Sequence, residues 1–330
     1  MTTPRRLWSL FEPLHAVTYF TPQSAAAFEA AGLTGYWRRY FAGRAAPLGP
    51  VGPGPVTAAF FGFAPAMVSR AFPSVWSRIS PAAASAAREA GAVAALSALL
   101  REPQSPEAAP PSSRADVLTS PADAPLSRAD APISPADAPI SPADAPISPA
   151  GLPIAEAAEA LGAAARLIDT PGRVLAAAYA DLPWPNEPVA RLWHAATLLR
   201  EHRGDGHVAA LLTAGVDGCE SLVWRAAVDG GGLREVTQPA RGWTDDEWQA
   251  AADRLERRGW LTADGRATDA GRAAYEQVEA LTDRLAAGPW ERLGAAGTER
   301  CAALLAPLAE RAWTTLPDDN PIPLRRPARA

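Results

Sequence analysis

Apolar side chains recur at intervals of three and four along nearly the whole chain, the spacing of a buried helical stripe. Leu7, Leu10, Phe11, Leu14 and Val17 share one face of a helix expected over residues 4–20, with Pro13 placed to kink or restart it. Thr21-Pro22 supplies a cap and a proline at the first helical position, and Gly32 closes the helix that follows. Residues 34–44 predict a short aromatic helix carrying Tyr36, Trp37, Tyr40 and Phe41. After a Pro/Gly loop at residues 47–55, three more helices are expected over 56–63, 65–72 and 81–100. Helices resume over 153–168 and 171–180. Asn186 is then placed to cap a helix from Pro188 to about Arg203, with Leu192, Ala195, Ala196 and Leu199 inside. Gly204-Asp205-Gly206 reads as a turn in which Asp205 caps the next helix, and short helices are expected over 207–214 and 217–228.

The most complete local unit lies between Arg241 and Arg284. Thr244 and Glu247 have the spacing of a capping box, and Trp248, Ala251, Ala252 and Leu255 form one stripe of the helix it starts. Gly259 stops that helix. Trp260-Leu261-Thr262, the turn Ala263-Asp264-Gly265-Arg266, and Ala267-Thr268 then predict a very short β-hairpin. Thr268 caps a further helix that buries Tyr275, Val278, Leu281 and Leu285. The expected class is therefore all-α, a multi-helical protein with a C-terminal winged helix-turn-helix whose wing is a short β-hairpin. Three regions are expected: an N-terminal helical domain over 1–101, a linker over 102–150, and a second helical domain over 151–330 that holds the winged unit at about 188–287.

The linker breaks the helical pattern. It is a degenerate seven-residue repeat, with Ser-Pro-Ala-Asp-Ala-Pro beginning at 120, 134 and 141. Ile133, Ile140 and Ile147 fall in heptad step, but two prolines in nearly every repeat exclude a coiled coil and predict a disordered spacer with polyproline character. The net charge of −5 also originates there. Residues 102–150 hold seven acids and two arginines, which leaves 29 of each sign elsewhere. There is no lysine. Cys219 and Cys301 lie far apart, without metal or disulfide spacing, as expected of reduced thiols. Glu12, Pro13 and His15 interrupt the N-terminus before a signal-peptide core can form, and no run reads as a membrane span. The expectation is a cytoplasmic protein that makes no membrane contact, of unassigned oligomeric state.

Three segments could carry chemistry. His194, His202 and His207 are three of the four histidines, and Arg203 and Asp205 lie among them. Their spacings of eight and five do not match the i, i+4 frame of a helical metal site, so no metal is assigned; the set could instead bind a small anion. Glu12, His15 and Tyr19, three and four apart, lie on one helix face and could line a pocket or simply pack. Arg38, Arg39 and Arg44 alternate with Tyr36, Trp37 and Tyr40, which suits stacking or an anion. The ligand-binding candidates are thus Glu12, His15, Tyr19, Arg44, His194, His202, Arg203, Asp205 and His207. No phosphate-binding loop, dinucleotide fingerprint or nucleophile elbow is present, and no cofactor or catalytic residue is assigned.

Leu255-Glu-Arg-Arg-Gly259-Trp-Leu261 followed by Thr268-Asp-Ala-Gly271-Arg272 resembles the end of the recognition helix and the wing of MarR-type regulators. The wing here is shorter, and Ala267 stands where that family usually has leucine. The whole chain outside 102–150 resembles an actinobacterial SalK-like helix-turn-helix family, through Trp8-Ser-Leu-Phe-Glu-Pro-Leu-His15, Gly35 to Arg44, Leu192 to His207 and the winged segment. That resemblance implies a fold and little chemistry and favours binding of double-stranded DNA; the leading expectation is a winged-helix regulator that senses a small molecule between its regions. Gln249, Arg254, Arg257, Arg258, Arg266 and Arg272 are the candidate DNA contacts. Charge argues the other way, because Asp245, Asp246 and Glu247 fill the first turn of the recognition helix, suiting its dipole and opposing phosphate. The alternative is a ligand-binding protein or enzyme with a His/Arg/Asp pocket, in which the winged unit is scaffold.

Overall fold

In a computed structural model the chain is described over residues 2–101, 152–230 and 232–317, so the repeat expected as a spacer lies outside the described residues. Fourteen α-helices occur among those described: α1 (Pro4–Phe20), α2 (Pro22–Ala30), α3 (Tyr36–Ala45), α4 (Pro53–Ala59), α5 (Pro65–Ala71), α6 (Pro81–Arg101), α7 (Ile154–Ala165), α8 (Val174–Ala180), α9 (Pro188–Thr213), α10 (Gly218–Asp229), α11 (Leu233–Arg241), α12 (Asp245–Arg257), α13 (Asp269–Leu285) and α14 (Gly288–Trp313). The all-α expectation fits this architecture.

The expected β-hairpin wing is absent. Among the described residues there is no strand, only one antiparallel bridge between Leu261 and Ala267. The physical reason is length. Gly265 N–H already donates to the Thr262 carbonyl to close the turn (2.8 Å), Thr262 N–H donates to the Arg266 carbonyl (2.9 Å), and Thr268 N–H donates to the Trp260 carbonyl (3.0 Å). Thr268 then caps α13 at once, its hydroxyl accepting from Gly271 N–H at 3.0 Å. The arms end before a ladder can grow, leaving a tight reversal between α12 and α13.

The second correction concerns α9. Gly204-Asp205-Gly206 makes no turn, because Pro188–Thr213 is a single helix of 26 residues. Gly206 serves close packing instead: a Cβ there would lie 2.8 Å from Arg173 Nη1 and 3.2 Å from Leu285 Cβ. Asp205 does not cap its own helix but accepts from Ala176 N–H, in α8, at 2.9 Å. Nor does Asn186 cap α9; Glu187 does, accepting from Ala190 N–H at 2.7 Å. Pro13 likewise sits inside α1 without dividing it.

Helix α9 is the hub. Its Leu192, Ala196 and Leu199 join Leu7, Phe11 and Leu14 of α1, Leu96 and Leu100 of α6, Leu161 of α7 and Leu305 and Leu308 of α14 in the largest core. The two halves of the chain therefore share one interior. A second core gathers Phe28, Phe41, Phe60, Phe63, Met67, Val68 and Phe72 around α3 to α5. A third, built on Trp224, Trp248, Leu255, Leu261 and Val278, holds α10, α12 and α13 together against the end of α9.

Helix α6 corrects one further expectation. Its 21 residues, with a mean hydropathy of 1.2 over the most apolar window, are long and apolar enough to cross a membrane by length and composition. Here it packs against α1, α2, α3 and α9 and buries Arg88.

Candidate functional site

Two places gather the polar groups singled out by the sequence: the outer face of α12, and a buried cluster where α1, α3, α6 and α9 meet.

Helices α11 and α12 form a helix-turn-helix. Gly242, at φ 75°, makes the turn between them, and α10 packs across both. Sequence reasoning missed α11, although Gly232 and Gly242 bracket it and Thr237 and Ala240 lie on its inner side. Its Gly-rich approach and internal Pro239 hid the helical spacing. Helix α12 begins at the expected capping box: Thr244 Oγ1 accepts from Glu247 N–H at 3.2 Å, and Glu247 accepts from Thr244 N–H at 2.9 Å. Trp248, Ala251 and Leu255 point inward. Gln249, Glu256 and Arg257 remain exposed.

The candidate DNA contacts differ in how free they are. Gln249 donates to Asp253 at 2.8 Å. Arg254 is held by Glu220 (2.7 Å) and Asp217 (2.6 Å), bracing α12 on α10. Arg258 donates to the Gly215 carbonyl at 2.5 Å and lies over the Trp260 ring. Arg272 donates to the Val228 carbonyl at 3.1 Å. Arg266 pairs with Asp264 but is 80% exposed. Among the acids that oppose phosphate, Asp245 accepts from Arg234 (3.1 Å) and Gln238 (2.8 Å), and Glu247 is used by the cap.

In the interior, Glu201 is fully buried and receives a two-pronged contact from Arg44, Nε to Oε1 at 3.0 Å and Nη2 to Oε2 at 2.9 Å. Arg200 adds a third bond at 2.8 Å and lies 3.5 Å from Glu12, which accepts from Trp8 Nε1 at 2.8 Å. Burial raises the Glu201 carboxyl, but Arg200 and Arg44 outweigh it and hold it well below its ordinary value. His15 bridges Thr197 and Tyr19, both at 2.9 Å. Burial, with Arg88 and Arg200 nearby, lowers its pKa well below the usual histidine range, so the ring is neutral. Four expected residues, Glu12, His15, Tyr19 and Arg44, thus meet in one network. Arg88 and Arg200 complete it and were missed. The signal for Arg88 was a lone charge on the small-residue stripe Ala84, Ala87, Gly91, Ala92 and Ala95.

The other five do not converge. His194 sits edge-on against Trp184, and its buried Nε2 has no hydrogen-bond partner among the described residues. His202 meets Asp169 at 3.2 Å, and His207 meets Thr282 at 2.9 Å. Burial lowers His194 and His202 to about 4, and His207, whose side chain is 37% exposed, moves in the same direction with Arg203 and Arg225 nearby. Arg203 clamps Asp283 at 2.7 Å over the Trp8 ring. Burial raises Asp205 to about 6. Arg203 and His207 both face Glu279 of α13, at 3.5 and 3.8 Å, while His202 and Asp205 tie α9 to the loop at Asp169 and to α8. Among the described residues no three His, Cys, Asp or Glu side chains come together as a metal-binding group.

Beside the buried network opens a narrow cleft of about 30 Å³, room for one or two water molecules, lined by Thr18, Tyr19, Ser24, Arg39, Tyr40 and Arg88 among others.

No curated protein and no solved structure matches the chain. A family profile does, over residues 4–150 and 143–317, and so over nearly the whole sequence: the chain belongs to a helix-turn-helix family.

Proposed function

We propose that the protein is a cytoplasmic DNA-binding regulator that presents α12 to the duplex. The observation that carries this reading is family membership joined to a helix-turn-helix whose second helix keeps one face exposed. The likeness of residues 255–272 to MarR-type regulators, and of the chain to the SalK-like family, supports it at finer grain. Two of the three acids at the start of α12 are engaged within the unit, which lessens their opposition to phosphate. Arg257, Arg258, Arg266 and Arg272 collect at the other end of α12 and beyond it, so backbone contacts are expected from that end.

The test is fluorescence anisotropy with labelled duplexes from upstream of the protein's own gene, across a salt series. Saturable binding is expected, with Arg257→Ala weakening it and reducing the slope of log K against log salt by about one. Absence of binding at low salt overturns direct binding to DNA. A small-molecule response rests on the MarR-type likeness alone.

A further inference from the structure

A helix laid against a duplex has phosphates at both of its ends, and α12 is equipped at only one of them. Arg257, Arg258, Arg266 and Arg272 gather at its C-terminal end and beyond. Its first turn carries Asp245, Asp246 and Glu247 instead. Arg234 of α11 pairs with Asp245 at 3.1 Å, and Arg241 turns back over the Phe63 ring, 4.3 Å from its centre. A free cation for that end comes from outside the helix-turn-helix.

The N-terminal half of the chain stands against this end. The Cys219 thiol donates to the Glu247 carbonyl, in the first turn of α12, at 3.6 Å, and the adjacent Gly218 abuts the Phe61 carbonyl. Trp243 Nε1 donates to the Gly62 carbonyl at 3.0 Å, and the Arg241 carbonyl accepts from Ala64 N–H at 2.9 Å. A Cβ on Gly242 would stand 2.8 Å from Met67 of α5. These contacts fix α5 beside the turn between α11 and α12. Arg70 follows Met67 by three residues on α5, which places it on the same side and about 4.5 Å along the axis. It is exposed, and among the described residues no ion pair, hydrogen bond or ring contact engages its guanidinium. Ser69, next to it, is exposed as well.

We propose that the duplex interface extends onto the N-terminal half, with Arg70 of α5 contacting a DNA phosphate that flanks the N-terminal end of α12. The guanidinium fork matches two oxygens of one phosphate, and no protein group competes for it. A contact of this kind adds affinity and fixes orientation without reading sequence. It also offsets the acids of the first turn from across the α11–α12 turn, at the end where α12 has no free cation of its own. The inference rests on the proposed binding of DNA through α12 and adds a second contact, remote in sequence, to that interface.

The experiment is fluorescence anisotropy of the full chain with two labelled duplexes of equal length, one from upstream of its own gene and one of scrambled sequence, across a salt series. Arg70→Ala is expected to weaken both by the same factor, about tenfold at roughly 0.1 M salt, and to reduce the slope of log K against log salt by about one. Arg70→Lys keeps the charge and should keep the slope. Because Arg70 is exposed, the thermal midpoint of Arg70→Ala should equal that of the parent. Arg300→Ala removes an exposed arginine of α14 and should leave binding unchanged, which separates a local contact from net charge. If Arg257→Ala weakens binding and Arg70→Ala does not, the Arg70 contact is overturned while the α12 reading stands. A loss confined to one sequence, or an equal loss in Arg300→Ala, overturns it as well. A parent chain that binds neither duplex at low salt brings down the α12 reading and this extension together.

Discussion

Single side chains set the pH response of this fold. His194 is buried, its Nε2 lacks a partner among the described residues, and burial with Arg166 nearby lowers it to about 4. An unfolded histidine titrates near the ordinary value of about 6.5. Between those values the unfolded chain holds a proton that the folded chain does not, so this contribution is present above about pH 6.5 and is lost as pH falls toward 4. His202 and His207 act in the same direction. Asp205, raised to about 6, acts oppositely: the folded chain keeps its proton between about 4 and 6, so its contribution falls as pH rises through that window. His15 and the depressed Glu201 carboxyl add to the three histidines, so together they outweigh Asp205 and give a net loss of stability in acid. His194→Phe should be close to neutral at pH 7 and more stable than the parent by about 2 kcal/mol at about pH 5. Urea unfolding at both pH values measures this; equal differences at the two would show that His194 takes no part.

At the scale of elements, α9 shows what two glycines do in one helix. Gly204 has no neighbour closer than 3.9 Å to a Cβ, whereas Gly206 would meet Arg173 and Leu285. Arg173 cannot easily withdraw, since it donates to the His202 and Leu285 carbonyls, both at 2.7 Å. Gly204→Ala should therefore stabilise by up to about 1 kcal/mol through helix propensity. Gly206→Ala should lose that gain and about 1–3 kcal/mol more through overpacking. Thermal denaturation of the pair tests the sign, and stabilisation by both would refute the close-packing role. This helix also marks the limit of what residue spacing reveals. The stripes of α1, α9 and α12 were legible because apolar residues and caps repeat locally. Gly-Asp-Gly read as a turn because its tertiary reason, the approach of Leu285 at the end of α13, lies far along the chain. The hairpin failed on arm length, and α11 was hidden by glycine and proline at its ends and interior. Of the buried network, the row Glu12, His15 and Tyr19 could be read from helical periodicity. Arg88 carried only the weaker signal of a lone charge on a small-residue stripe, and Arg200 carried none, since what makes it special is the position of other helices.

Across the whole molecule, the helix-turn-helix is joined to the N-terminal half through a short segment. Gly218, the first residue of α10, lies so close to the Phe61 carbonyl that a Cβ would stand 2.0 Å from its oxygen. Ala64 N–H donates to the Arg241 carbonyl at 2.9 Å, and Trp243 Nε1 donates to the Gly62 carbonyl at 3.0 Å. Gly218→Ala sets a side chain against backbone, and should cost about 1–3 kcal/mol and loosen this joint. A fall in the urea midpoint is expected, and an unchanged midpoint would show that the approach is not required. The joint also governs portability. Cut free at residue 215, the recognition unit would leave the Arg241 carbonyl, the Trp243 indole and the Gly62 carbonyl without their partners, and would bare the side of Met67 that Gly242 now covers. This recognition unit is a limb of the surrounding protein, and transplanting it would require carrying residues 60–67 along.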